Sequence, residues 1–464
     1  MYAFEDILKN GRNVLISGSL VPQALLLFIK NIIRKEAKKM KTKNELKNFY
    51  ILWSTQSISQ LGSSITAFAL TLWLYEQTGS SLGTAMLTVC SYAPYIIMSI
   101  FAGALTDRFD KKKTMLVCDL LAVMCTIAIF ILYKANALMI WHLYALNAFS
   151  GLMNTVQQPA SEVAMTLIIP EKYYQKTSGL RSLSRSLVSI LNPLIATSLY
   201  SFIGLTGVIA VDVGSFVIAF TSLLFFVGIP ESKSETKENV LVLAKEGLMY
   251  LKANPMIMTM ILFMSGVNLI ASAFDGILPG LVLPNPKGGS SVLGMVTSCS
   301  GVAMIIGSLI VSALPKPKDR IRTVYLTMLI SLGTENFMLA FSREPVIWCI
   351  GQIIGWVLVP VMSANYDVIF KSTVPVELQG RVYACRNTMQ FFTIPIGMFL
   401  GGFMVDNVCE PLMSRYGGIP LLTALFGTGK GSGAALMMFI IGVAGVLICL
   451  IAGKNLKKYH YSDN

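Results

Sequence analysis

The sequence predicts an all-α membrane protein with twelve transmembrane helices in two six-helix bundles. Three observations carry this. Of 464 residues, 54% are hydrophobic and only 13% charged, about half the charged share of a soluble domain. The apolar residues, about 250 of them, suffice for about twelve crossings at roughly 20 residues each. The 37 Lys and Arg residues also alternate with the apolar segments, 32 on one side and 5 on the other. This composition excludes a soluble enzyme, a disordered chain and a secreted disulfide scaffold. The net charge of +13 reads as the basic excess of cytoplasmic loops, not as a nucleic-acid surface.

The spans are read at about 49–75, 84–105, 114–133, 137–159, 178–203, 206–229, 256–282, 292–314, 323–341, 345–369, 383–404 and 434–453. Ten basic residues precede the first span. Every even-numbered connection carries three or four, and the tail carries three. Both termini are therefore expected in the cytoplasm. Seven cysteines fall within apolar segments and Cys409 in a loop. None has CxxC spacing, so they read as small buried side chains.

The chain divides into a basic N-terminal extension (1–47), a first bundle (48–230), a cytoplasmic linker (231–254), a second bundle (255–453) and a cytoplasmic tail (454–464). In the extension, an apolar run near 14–29 lacks a following cleavage site. It reads as a surface-lying segment, with Met40 an alternative native start. The halves repeat: Pro170 and Arg181 after span four stand eleven residues apart, as do Pro375 and Arg386 after span ten. A six-plus-six duplication points to a transporter of two related bundles.

Polar residues inside a bilayer are costly and normally face protein or a watery cavity. Span one carries Gln56 and Gln60, span four Asn154, Gln158 and Glu162, span seven Asn268 and Asp275, and span ten Trp356 and Asp367. Each set recurs at helical spacing. Any one of these residues can simply join helices, but stripes on every third helix argue for a shared cavity. Span twelve lacks a stripe and reads as lipid-facing.

Between spans two and three, Gly103-Ala-Leu-Thr-Asp107-Arg108-Phe-Asp110-Lys111-Lys112-Lys113 resembles the G-x-L-x-D-R-x-G-R-K signature of the major facilitator superfamily. Asp110 replaces the usual glycine and Lys111 the usual arginine. Gln56-Ser-Ile-Ser-Gln60-Leu-Gly62-Ser63, Thr78-Gly79-Ser80, Gly207-Val-Ile-Ala-Val-Asp212, Pro375-Val-Glu-Leu-Gln-Gly380-Arg381 and Phe426-Gly-Thr-Gly-Lys-Gly431 are similar to the macrolide-efflux type of drug antiporter in that superfamily. The resemblance covers about residues 40–455. It implies the major facilitator fold and a loop, with Gly103, Asp107, Arg108 and Lys112, that latches the bundles on the cytoplasmic side. It also implies that spans one, four, seven and ten line the cavity.

The expected function is proton-coupled efflux of amphipathic drugs such as macrolide-like compounds, by a monomer in a bacterial plasma membrane. A lipid or lysophospholipid flippase on the same fold and an uptake carrier are the alternatives. A cavity with few fixed charges suits amphiphiles better than sugars or phosphates, which call for buried arginines. Gln56, Gln60, Asn154, Gln158, Asn268 and Trp356 are the candidate cavity wall. Asp275, Glu162 and Asp367 are the proton-carrying candidates; Asp119, Asp212 and Glu335, on peripheral helices, read as structural. No enzyme, cofactor, metal or nucleic-acid function is expected. Only two histidines occur, His142 and His460, and no Gly-x-Ser-x-Gly. Gly427–Gly431 lacks the first glycine and the magnesium-binding Ser or Thr of a phosphate loop.

Overall fold

The structure is a computed structural model describing residues 46–170, 173–230, 240–313, 315, 317–416 and 419–459. The expectations for residues 1–45, including the surface segment and the Met40 start, lie outside the described residues. The described residues from 49 onward form one compact unit.

Every regular element among the described residues is helical. In chain order these are α1 (Lys47–Thr78), α2 (Ser81–Arg108), α3 (Lys111–Lys134), α4 (Ile140–Ile168), α5 (Tyr174–Phe225), α6 (Val240–Ala253), α7 (Pro255–Val282) and α8 (Ser290–Ala313). Then come α9 (Arg320–Phe341), α10 (Pro345–Val357), α11 (Val359–Thr373), α12 (Val376–Phe391), α13 (Thr393–Met404), a π turn (Val405–Cys409), α14 (Glu410–Tyr416), α15 (Pro420–Phe426) and α16 (Ser432–Leu456). Eight helical stretches of the described residues are long and apolar enough to cross a membrane. One of these, within α5, runs 49 residues and breaks at Gly204, whose φ of 65° and ψ of −179° leave the helix. α1, α2 and α4, with 32, 28 and 29 residues, exceed the 30 Å hydrocarbon core at about 1.5 Å per residue.

Local chemistry sets the breaks. Ser80 caps α2, its Oγ accepting from Gly83 N at 2.8 Å. Asp110 caps α3, accepting from Lys113 N at 2.7 Å, and Asp319 caps α9, accepting from Arg322 N at 2.8 Å. The Asp110 that departs from the loop signature thus holds a helix start, and Asp319 repeats its role in the second half. The tenth span, read as one segment, is two helices, α10 and α11. Pro360 stands in the first turn of α11, where it can supply no N–H to the preceding turn. Cys409, expected in a loop, is buried in the π turn.

Two buried apolar clusters form the interior. One gathers Ile65, Leu143, Ala196 and Ile209 from α1, α4 and α5. The other gathers Met260, Phe274, Leu332, Trp348, Phe370 and Met438 from α7, α9, α10, α11 and α16, with Leu72 of α1. α7 is the most enclosed membrane-length helix, 61% of its apolar window being buried. α16 does not simply face lipid: Met438, Ile441, Gly442, Gly445 and Cys449 are buried, because its small residues admit Asn336, Phe337 and Leu332 of α9. Leu447, Leu450 and Ile451 on its other side are exposed.

α7 and α13 pack through a glycine contact. A Cβ on Gly401 would lie 2.5 Å from the Ala273 carbonyl oxygen, whereas one on Gly214 of α5 would meet nothing within 4 Å. Gly401→Ala should therefore lower stability by about 1–3 kcal/mol through overpacking. Gly214→Ala should leave it unchanged or raise it by up to about 1 kcal/mol through helix propensity. Thermal unfolding of both variants in detergent measures the contrast.

Candidate functional site

The polar stripes divide into side chains with protein partners and side chains without. On α1 and α4, Gln60, Asn154 and Gln158 are exposed, with no hydrogen-bond partner among the described residues. Gln56 is engaged: its Nε2 donates to Asp119 Oδ2 of α3 at 3.2 Å. Gln157, which sequence reasoning passed over, donates to Asp119 Oδ1 at 2.6 Å. Asp119 is thus the junction of α1, α3 and α4.

On α7, Asn268 Nδ2 donates to the Gln390 carbonyl of α12 at 3.2 Å. Asp275, seven residues before the end of α7, has an exposed side chain and no hydrogen-bond or ion-pair partner among the described residues. Trp356 on α10 gives its indole N–H to Glu335 Oε1 of α9 at 3.0 Å, so only its ring remains for a ligand. Glu335 is 6% exposed and lies within electrostatic reach of Asp275. Asp212, 4% exposed, accepts from Ser63 Oγ of α1 at 3.0 Å. Asp119, Asp212 and Glu335 each have neutral donors from neighbouring helices.

Glu162 and Asp367 sit at the other end of the bundle from Asp275, six residues before the ends of α4 and α11. Glu162 pairs with Arg181 and with Arg185 at 3.2 Å. Asp367 pairs with Arg386 at 3.7 Å. The same separation, 205 residues, relates Pro170 to Pro375, Arg181 to Arg386 and Glu162 to Asp367, so the acid–arginine pair is part of the internal repeat. The copies differ in the second half. There the Arg386 guanidinium lies over the rings of Tyr366, Phe370 and Tyr383, at 5.8, 5.2 and 4.8 Å.

The signature loop is shorter than the sequence suggests, because α2 continues through Arg108. Gly103, Asp107 and Arg108 stand in the last turns of α2; their side chains lie outside the described residues. Lys112 Nζ donates to the carbonyls of Leu224 and Val227 at 3.0 and 2.8 Å, tying the start of α3 to the end of α5. On the linker, Arg381 pairs with Glu246 of α6, and Tyr250 donates to the Thr373 carbonyl at 2.9 Å. Burial pushes the Tyr250 phenol up.

Sequence reasoning missed the end where α1 meets α2. Asp406 and Glu410, beyond the eleventh span, turn their carboxylates onto backbone N–H groups there. In the glycine loop, Gly427, Gly429 and Gly431 have φ of 71°, 80° and 96°, and the Gly431 N–H is given to Glu410 Oε1 at 2.7 Å. That loop serves a carboxylate of its own chain. Burial lowers the pKa of nearby Arg343, with Glu410 opposing. Among the described residues no group of three or more His, Cys, Asp or Glu side chains is arranged to hold a metal ion.

A family model described as a transmembrane secretion effector matches residues 44–428. The chain belongs to that family. It is a major facilitator transporter, and it resembles the macrolide-efflux type of drug antiporter. Macrolide efflux protein A of Streptococcus pyogenes is 25% identical over 367 residues, covering 78% of this chain and 90% of that protein. The multidrug efflux pump Tap of Mycolicibacterium fortuitum is 23% identical, over 74% of this chain and 86% of its own length. A bacterial homolog of the human lysosomal transporter Spinster has the same fold, with a TM-score of 0.68 at 14% identity over 91% of this chain and all of that one. The chain is thus a multi-pass membrane transporter of small substrates.

The two copies of the ion pair should respond differently to a change of cation. Arg386→Lys keeps the charge but loses the planar stack on three rings, so it should destabilise by about 1 kcal/mol more than Arg181→Lys does. Thermal unfolding of the two variants in the same detergent measures the difference.

Proposed function

We propose that the protein is a proton-coupled exporter of amphipathic drugs of the macrolide kind, working by alternating access between two six-helix bundles, residues 48–230 and 255–453. The observation that carries this is the set of unpartnered polar groups, Gln60, Asn154, Gln158 and Asp275, open on helices that otherwise meet the demands of a bilayer. Such groups persist in hydrocarbon only where they line a water-filled cavity. Amides donate and accept without fixed charge, and the Trp356 ring adds a broad apolar face, a surface suited to varied amphiphiles. The relatives named for macrolide efflux and multidrug efflux agree with this reading.

The charge pattern supports an orientation with both termini in the cytoplasm. The Glu162 and Asp367 ion pairs then lie at the inner end, and Asp406 with the start of α2 at the outer end. Among the three proton-carrying candidates, Asp275 lacks a cationic partner among the described residues, whereas arginines hold the charges of Glu162 and Asp367. Asp275 is therefore the first choice, and the two ion pairs join neighbouring helices at the inner mouth.

A susceptibility panel on cells overexpressing the chain tests the export reading. Raised resistance to several unrelated amphiphiles supports it. Unchanged resistance, with transbilayer movement of a lysophospholipid, supports a flippase instead. Asp275→Asn should abolish the added resistance while the protein stays inserted at parental level; full resistance in that variant removes Asp275 from the coupling path. Single replacements of Gln60, Asn154 or Gln158 should change the rank order of exported compounds, each by about 1 kcal/mol or less. Export of several compounds, normalised to membrane protein level, checks this, and an unchanged rank order in all variants contradicts the shared cavity.

A further inference from the structure

The start of α2 is held by a side chain more than 300 residues away. Asp406 Oδ2 accepts from Ser80 Oγ at 2.6 Å and from Leu82 N at 2.8 Å, and Oδ1 accepts from Ser81 N at 3.1 Å. Ser80 in turn accepts from Gly83 N at 2.8 Å. The first amides of a helix have no partner within it. Here those of Ser81, Leu82 and Gly83 are satisfied by Asp406 and the serine it binds. An anion in this position is also favoured by the helix dipole.

A second feature aims the carboxylate. Asp406 belongs to the π turn Val405–Cys409, closed by Glu410 N–H donating to the Val405 carbonyl. π turns are rare and recur at functional sites. Around the contact, a Cβ on Gly402 would lie 2.7 Å from Leu82 Cα, and one on Gly280 would strike Ser81 Oγ. α7 and α13 therefore reach the first turn of α2 only because glycine stands there. A cavity of about 430 Å³ adjoins the contact, lined among others by Tyr75, Asp406, Glu410 and Lys430. It gives the carboxylate room to leave.

We propose that Asp406 is a positioning residue for transport: it latches the outer ends of the two halves, and its bonds to α2 break and reform in every cycle. This rests on the reading of the chain as an alternating-access transporter. By contrast, the ion pairs Glu162–Arg181 and Asp367–Arg386 each stay within one half, so neither can perform this task.

The test is outside accessibility of the cavity. A cysteine replaces Asn154 in the full chain, and a membrane-impermeant maleimide is added to intact cells, with the parent chain as background. Asp406→Ala should raise labelling of that cysteine about threefold or more by shifting the population outward-open. Ser80→Ala should raise it less, because two amides still hold Asp406. A lower Tm with unchanged labelling would mean that Asp406 only caps a helix, and overturns the proposal. If Asp406→Ala is not recovered folded, the pair Ser80→Cys and Asp406→Cys is oxidised instead. The crosslink should then stop erythromycin export and reductant should restore it; continued export in the crosslinked protein overturns the latch. Labelling requires no substrate, so raised labelling with no erythromycin export by the parent would reject the efflux reading and keep the latch.

Discussion

A polar side chain placed in hydrocarbon must find a protein partner or water, since an unsatisfied group there costs several kcal/mol, and this requirement sorts the interior of the protein. Asp119, Asp212 and Glu335 obtain donors from Gln56 and Gln157, from Ser63, and from Trp356. They knit helices together. Gln60, Asn154, Gln158 and Asp275 obtain none among the described residues, and in the proposed function they are the groups left for water and ligand. Partnered and unpartnered polar residues thus share helices and residue types, as Gln56 and Gln60 do on α1 and Gln157 and Gln158 on α4. Only their partners separate them.

The two ends of the bundle use different chemistry. At the end holding Glu162 and Asp367, an acid–arginine pair occurs once in each half, and each pair joins helices of that half. At the end holding Ser80, a carboxylate from one half meets backbone N–H groups of the other. A carboxylate on amides needs no long cation and tolerates the glycine-lined approach of α7 and α13. Contacts of this kind can open and close without leaving an arginine buried and unpaired.

The fold class was legible because apolar run length and the positions of Lys and Arg respond to the bilayer directly. The stripes were legible because helical spacing puts Gln56 beside Gln60 and Asn154 beside Gln158. Which members are free was not legible. The partner of Trp356 is Glu335, 21 residues earlier on a neighbouring helix, and no local pattern announces that contact. The repeat was half visible: Pro170 and Arg181 match Pro375 and Arg386, yet the acids at the same separation emerged only once their ion pairs were seen. Asp406 was missed because it lies past the apolar run, and a π turn that no periodicity signals aims it at α2. The tenth span hid its break, since Pro360 lies in an otherwise unbroken apolar stretch.

The central claim is that an imposed proton gradient drives an amphiphile through the cavity between the two halves. The most direct measurement uses the purified chain in proteoliposomes, with uptake of radiolabelled erythromycin followed at a series of imposed pH gradients. The account predicts accumulation that grows with an acid-inside gradient, collapses with a protonophore, and is absent from protein-free vesicles. Erythromycin movement indifferent to the gradient, or no movement while a fluorescent lysophospholipid crosses the bilayer, would contradict it.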